Sequence, residues 1–290
     1  MNNVELEIKA IICTEFKKLI DNIEKDFRKN LNLKCNNFLL NQFDKNITAM
    51  MVFVSSFESK SGNAIENCAR EIAKLRFGAE NVPTIVNPRN IPFDVDASKI
   101  RGQVVVTDVN VDSKNGDLRG KIAKFVNDNA AAGKGKSRTN SKVTQDSIEN
   151  NLLPLVNKYK DNKYHQKPVD LAFFDGKNWN VFEIKAGGNL DSSNAPSNIE
   201  KLLTIYTALG ISNAKVYFAT IYNKDGEGHL WKSGVTKYMA YPEMFLIGSK
   251  FWEFILPLGI DYKTFTEIYE RALEELNFNQ TMNDLINKSL

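Results

Sequence analysis

PVDLAFFDGKNWNVFEIKAGG, residues 168–188, reads as a β-hairpin. Residues 169–174 and 179–184 are rich in β-branched and aromatic side chains, and Asp175-Gly176 between them is a strong turn signal. Alternation along a strand places Asp170, Ala172 and Phe174 on one face, and Val181, Glu183 and Lys185 on one face of the partner. A four-residue loop at 175–178 sets Phe174 opposite Trp179 and, counting back, Asp170 opposite Glu183. A two-residue loop, at Gly176-Lys177 or Asp175-Gly176, shifts the pairing. With an even-numbered register both acids still project from one side. Two carboxylates and an amine can then gather at the mouth of the hairpin.

Such a cluster suits phosphodiester hydrolysis. Neighbouring carboxylates repel each other unless they share a hard cation, and Mg²⁺ accepts oxygen ligands together with waters. The cation polarises a phosphate and lowers the pKa of water. Lys185, two residues beyond Glu183, reaches the same spot and can hold the attacking water or offset developing negative charge. The plainer alternative is a cross-strand ion pair on a solvated sheet face. Against it stand the proline before Val169-Asp170, the apolar Leu171, Phe173, Phe182 and Ile184 around the acids, and Gly187-Gly188 after the lysine.

Pro168-Val169-Asp170, twelve residues, then Glu183-Ile184-Lys185 resembles the PD-(D/E)xK nuclease signature, with Val169 intervening between proline and aspartate. The continuation at 186–195 and the upstream block at 58–77 are similar to type II restriction endonucleases, particularly the TdeIII-type group. The resemblance implies an α/β fold, a restriction-endonuclease-like mixed central sheet flanked by helices, with additional N- and C-terminal helices. It implies Mg²⁺-dependent cleavage of double-stranded DNA at a short GC-rich palindrome such as GGNCC, leaving 5′-phosphate ends. A partner DNA methyltransferase would protect the host's own sites. In this superfamily an acid from the helix before the hairpin often joins the metal site; Glu66 matches that position best and Glu58 next. Both also have structural readings, because Asn63 with Glu66 and Ser55 with Glu58 are spaced as capping boxes, and Glu66 can pair with Arg70.

The 290 residues can form one large domain or two small ones. No clear linker divides them, so one domain is expected, with a catalytic core at about 55–222 and helical elaborations at 1–50 and 243–290. A net charge of +3 is only mildly basic, so any DNA-binding charge must be concentrated locally. Cys13, Cys35 and Cys68, odd in number and without a close pair, suit a reducing cytoplasm rather than a zinc site or a disulfide framework. The N-terminus lacks a signal-peptide pattern, and the longest apolar run, around 49–54, is too short to span a membrane.

Along the chain, 4–30 predicts an amphipathic helix with Ile8, Ile12, Phe16, Leu19, Ile23 and Phe27 in its stripe, either internal core or a dimer element. A second helix is expected at 37–45 and a third within 55–77. Residues 103–109 predict a strand whose Asp108 is a turn residue or an extra ligand, and 118–132 a helix. The segment AAGKGKSRTNSK, 131–142, carries Lys134, Lys136, Arg138 and Lys142 with no acid, so it can close over DNA phosphates or serve as a solvated linker. Its spacing is not that of a nucleotide-binding P-loop. Residues 145–159 predict a helix that Pro154 kinks or restarts. His165 reads as scaffold or surface. Ser197 and Glu200 are spaced to cap a helix opening at Pro196, followed by a buried strand at 215–221. The C-terminal residues from 243 onward are expected to be mostly helical, and Trp231, Tyr238, Tyr241 and Trp252 to serve the core rather than stack on DNA.

A palindromic target favours a C2 homodimer, with the N-terminal helix and helical C-terminus as candidate interfaces. Two other functions fit parts of the pattern: a repair or junction nuclease with the same chemistry, and a non-catalytic DNA-binding protein with a structural Asp–Glu–Lys cluster. Preserved Asp170, Glu183 and Lys185 together weigh against the second.

Overall fold

A computed structural model describes residues 1–111, 117–133, 138–187 and 193–287. The chain divides into two compact units, Met1–Leu75 with Leu256–Leu290, and Arg76–Ile255.

The first unit is helical. Helix α1, Asn3–Cys35, starts at a capping box in which the Asn2 side chain accepts from Glu5 N and Glu5 accepts from Asn2 N. Its stripe Ile8, Ile12, Phe16, Leu19, Ile23 and Phe27 is buried. Phe16 meets Tyr269 edge-on at 5.3 Å; Tyr269 lies on α8, Tyr262–Glu275. The stripe is therefore internal packing. Residues 37–43 form turns, not the expected helix; Asn37 Oδ1 accepts from Leu39 N and starts the turn instead. Helix α2, Lys45–Phe77, is continuous, so Ser55 and Asn63 lie in its interior and are not helix caps. After α8 comes α9, Phe278–Asn287. The three cysteines are free thiols, and no helix among the described residues is long and apolar enough to cross a membrane.

The second unit is α/β, with its strands in two sheets. The first contains β1, Ile85–Val86, β2, Gln103–Val109, and β3, Lys160–Val169; β2 runs parallel to β1 and antiparallel to β3. The second has the order β4, Leu171–Phe174, β5, Trp179–Lys185, β6, Ala214–Thr220, and β7, Phe245–Ile247. β4 and β5 are the antiparallel hairpin, and the remaining pairs are parallel. Parallel neighbours need a crossover, and α6, Ala195–Leu209, supplies it between β5 and β6. Gly210, at φ 63°, ends α6 in the left-handed conformation that glycine adopts without penalty. Helices α3, Asp117–Asp128, α4, Gln145–Leu152, α5, Leu155–Lys158, which restarts after Pro154, and α7, Ser249–Ile255, complete the unit.

Alternation divides the second sheet's side chains between two cores. Ala172, Val181, Val216 and Phe218 pack with Ile199, Leu202, Leu203 and Tyr206 of α6. On the opposite face Phe173 stacks on Phe182 at 5.5 Å, and Phe182 meets Phe251 and Phe254. Trp231 and Trp252 are buried, as core residues should be.

Candidate active site

Asp170 is the single residue between the two sheets. Val169, before it, pairs with Gln103, and Leu171, after it, pairs with Phe182. Its carboxylate extends the hairpin ladder by one step, Oδ2 accepting from Ile184 N at 2.8 Å. The far end of the hairpin is held as firmly. Asp175 Oδ1 accepts from Lys177 N at 2.9 Å and Asn178 N at 2.7 Å, and Gly176 takes φ 91°. These bonds hold the Asp175 carboxyl below its ordinary pKa although burial pushes it up. The four-residue loop sets Phe174 opposite Trp179, one of the registers the sequence allows.

The outer edge of β4 is closed by Gln103. Its Oε1 accepts from Ala172 N at 2.8 Å, and its Nε2 donates to Ala172 O at 2.9 Å and Pro83 O at 2.7 Å. A buried amide thus does for an edge strand what a neighbouring strand would do.

Glu183 lies on the α6 face of β5, two residues beyond Val181, and is fully buried. Oε1 accepts from Lys185 Nζ at 2.6 Å. Oε2 lies 2.7 Å from Lys201 Nζ, an ion-pair contact without the direction of a hydrogen bond, so this buried oxygen has no hydrogen-bond donor among the described residues. Burial, with the Asp170 charge beside it, raises the Glu183 pKa despite the two lysines. Lys201 Nζ also donates to Asp170 Oδ1 at 3.1 Å. Burial alone would lower the Lys201 pKa, but Glu183 and Asp170 reverse this and raise it. Asp170, Glu183 and Lys185, expected together from the hairpin, are thus joined by a fourth group. The alternation of β5 and the expected crossover helix carry part of the signal for Lys201, but not which sheet face that helix covers. Ser197 and Glu200 do not cap α6, which begins at Ala195 with Pro196 in its first turn and no side-chain cap from Asn194. Burial raises the Glu200 pKa.

Beyond the lysine, Gly187 takes φ 110°, and a Cβ there would lie 2.1 Å from Tyr222 O. Only glycine lets the chain leave β5 so close to that backbone.

The other candidates sit on other elements. Glu58 is exposed and Glu66 half-buried on α2, both in the first unit. Asp108 is held between Arg89 at 2.5 Å and Lys160 at 3.1 Å, neither a turn residue nor a member of the cluster. His165 Nε2 lies 2.9 Å from Asp161 Oδ2, a scaffold contact. In the basic segment Lys134 and Lys136 fall outside the described residues; Arg138 donates to Thr236 Oγ1 at 3.1 Å and Lys142 is exposed. Among the described residues no three His, Cys, Asp or Glu side chains gather as a ready-made metal cage. The Asp170–Glu183 pair offers hard oxygen donors of the kind Mg²⁺ takes one or two at a time.

One family model, "Type II restriction endonuclease, HinfI", matches residues 112–272, more than half of the chain and all of the hairpin. No curated protein matches the chain, and no solved structure does.

Proposed function

The chain belongs to the HinfI family of type II restriction endonucleases, and from that premise we propose that Asp170 and Glu183 hold the catalytic metal ion and that Lys185 serves the attacking water. Enzymes of this family are site-specific deoxyribonucleases, and they generally use divalent metal ions. The observation that carries the assignment is the pair of carboxylates facing one ammonium, with Glu183 Oε2 buried and without a hydrogen-bond donor among the described residues. Two acids brought this close, one of them fully buried, are costly unless a cation faces both, the place the Lys201 ammonium takes here. The donor set fits Mg²⁺, which keeps waters and adds phosphate oxygens to one or two carboxylates. The chemistry accords with a PD-(D/E)xK centre.

When bound, the cation supplies Lewis acidity, drawing charge from the phosphate and easing deprotonation of water. The chain's own residues do the remainder. Asp170, fixed by Ile184 N–H, presents its carboxylate without a search over rotamers. Lys185, held against Glu183 Oε1, keeps its ammonium where it can donate to the attacking water or a phosphate oxygen. Attack at phosphorus forms the new P–O bond and breaks the bond to the 3′ oxygen, which leaves with a proton as a hydroxyl. The phosphate stays on the 5′ end.

A homodimer would give each strand of a palindrome its own site. The exposed apolar side chains Leu33, Phe38, Leu39, Phe43, Ile47 and Met50 support this assembly better than the buried stripe of α1. A companion methyltransferase and Mg²⁺ as the physiological ion belong to the same reading.

Digestion of unmodified phage DNA with Mg²⁺ tests it. Discrete fragments are expected from the wild type, with cleavage reduced by about a hundredfold or more in Glu183→Gln and Lys185→Ala while DNA binding survives. Undiminished Mg²⁺-dependent cutting by either variant removes the assignment.

A further inference from the structure

Lys201 Nζ touches one oxygen of each acid, Asp170 Oδ1 at 3.1 Å and Glu183 Oε2 at 2.7 Å. Lys185 meets the other oxygen of Glu183. Among the described residues, Lys201 therefore stands where a cation shared by the two carboxylates would stand, and two positive charges do not share that place. Without a counter-charge the two acids would repel, one of them fully buried. The Lys201 side chain nevertheless keeps 44% of its surface exposed. It lines a groove of about 380 Å³ together with Arg119, Lys167, Ser197, Glu200 and Thr204.

Resting on the assignment of Asp170 and Glu183 as the metal pair, we propose that Lys201 is the resident cation of the metal-free site. Its ammonium holds the two carboxylates together until a divalent ion replaces it, and then withdraws into the adjoining groove to meet a DNA phosphate. Arg119 and Lys167 give that groove a basic wall. The arrangement keeps the acids in place between catalytic events and holds metal affinity down in the absence of DNA. Lys201 is on this account a positioning residue first and a phosphate contact second.

The test uses the full chain without DNA, titrated with Mn²⁺ near pH 8 and followed by electron paramagnetic resonance. Lys201→Gln removes the competing charge and should tighten Mn²⁺ binding about tenfold. Lys201→Arg keeps the charge and should stay within about twofold of wild type. Lys201→Met makes the same comparison if the glutamine variant does not fold. Equal or weaker binding in the neutral variant overturns the proposal. Asp170→Asn separates this failure from that of the metal pair itself, because Mn²⁺ binding unchanged by Asp170→Asn refutes the assignment whatever Lys201 does. For the second role, the salt dependence of DNA binding in Ca²⁺ should fall by about one log unit per log salt in Lys201→Gln. An unchanged slope overturns the phosphate contact.

Discussion

Gln103 offers the most direct test of how the site is held. Its amide makes three hydrogen bonds, two of them to the backbone of Ala172, two residues from Asp170. Replacing it with methionine keeps the length and apolar stem but removes every partner. The Ala172 N–H and C=O would be left facing apolar surface on the edge of β4, at about 1–3 kcal/mol for each unsatisfied group. The carbonyl of Pro83 is less enclosed and adds less. Some relaxation is expected, so the destabilisation should come to about 3 kcal/mol. The three tryptophans, Trp179, Trp231 and Trp252, all lie in the unit Arg76–Ile255, so fluorescence during urea unfolding reports that unit. Cleavage should fall further than stability, because Asp170 follows the β4 edge when it loosens. A destabilisation below about 1 kcal/mol, with full cleavage retained, would refute the reasoning that Gln103 holds the edge.

Three further outcomes follow from the charges. Glu183 has a raised pKa, so its ionised form is disfavoured in the fold; stability falls as pH climbs from its ordinary 4.5 and stays reduced above the folded value. Metal-free Glu183→Gln should therefore melt above wild type near pH 8, the gap closing by about pH 4, and a lower melting temperature near pH 8 contradicts this. Asp108 has the opposite sign: burial opposes its charge, but Lys160 and Arg89 prevail and lower its pKa, so its stabilisation is present above 3.8 and disappears as pH falls through the folded value. Asp108→Asn should destabilise by on the order of 1 kcal/mol at neutral pH in urea unfolding, the difference shrinking as pH falls through the folded value. Changing Lys134, Lys136 and Arg138 together to alanine should weaken specific and random DNA binding alike and flatten the salt slope by about one unit for each phosphate no longer neutralised; a wild-type slope makes the segment a linker.

What the chain made legible depended on how local the cause was. The strand at 103–109 was evident because five valines and threonines alternate or run together there, and it forms with those bounds. The hairpin was evident because its turn chemistry and pattern agree. β3 was not, because Lys160–Val169 is polar and mostly exposed, and only pairing with β2 makes it extended. Phe38, Leu39 and Phe43 mimic a helical stripe at 37–45, but they remain exposed, so no packed face stabilises a helix there. Lys201 escaped notice because a lysine on an amphipathic helix ordinarily faces water. Its role depends on which sheet face the helix covers, and tertiary packing decides that. Asp170 and Glu183 were within reach because both sit on one local element.

The hairpin register also sets where the interval between Asp170 and Glu183 can change length. Residues 171–174 and 179–182 pair one to one, and the two acids lie just beyond the last pair. Inserting a residue within either strand would reverse the faces of every side chain beyond it and turn one carboxylate from the α6 side toward the aromatic core. Insertion at 175–178 alters only the closure of a loop, at a cost that grows slowly with length. The distance in sequence between the two acids is therefore elastic at one point and rigid elsewhere. A sequence search that lets the gap float anywhere would accept chains that cannot fold this way, whereas one that confines the gap to the turn follows the mechanics of the strand pair.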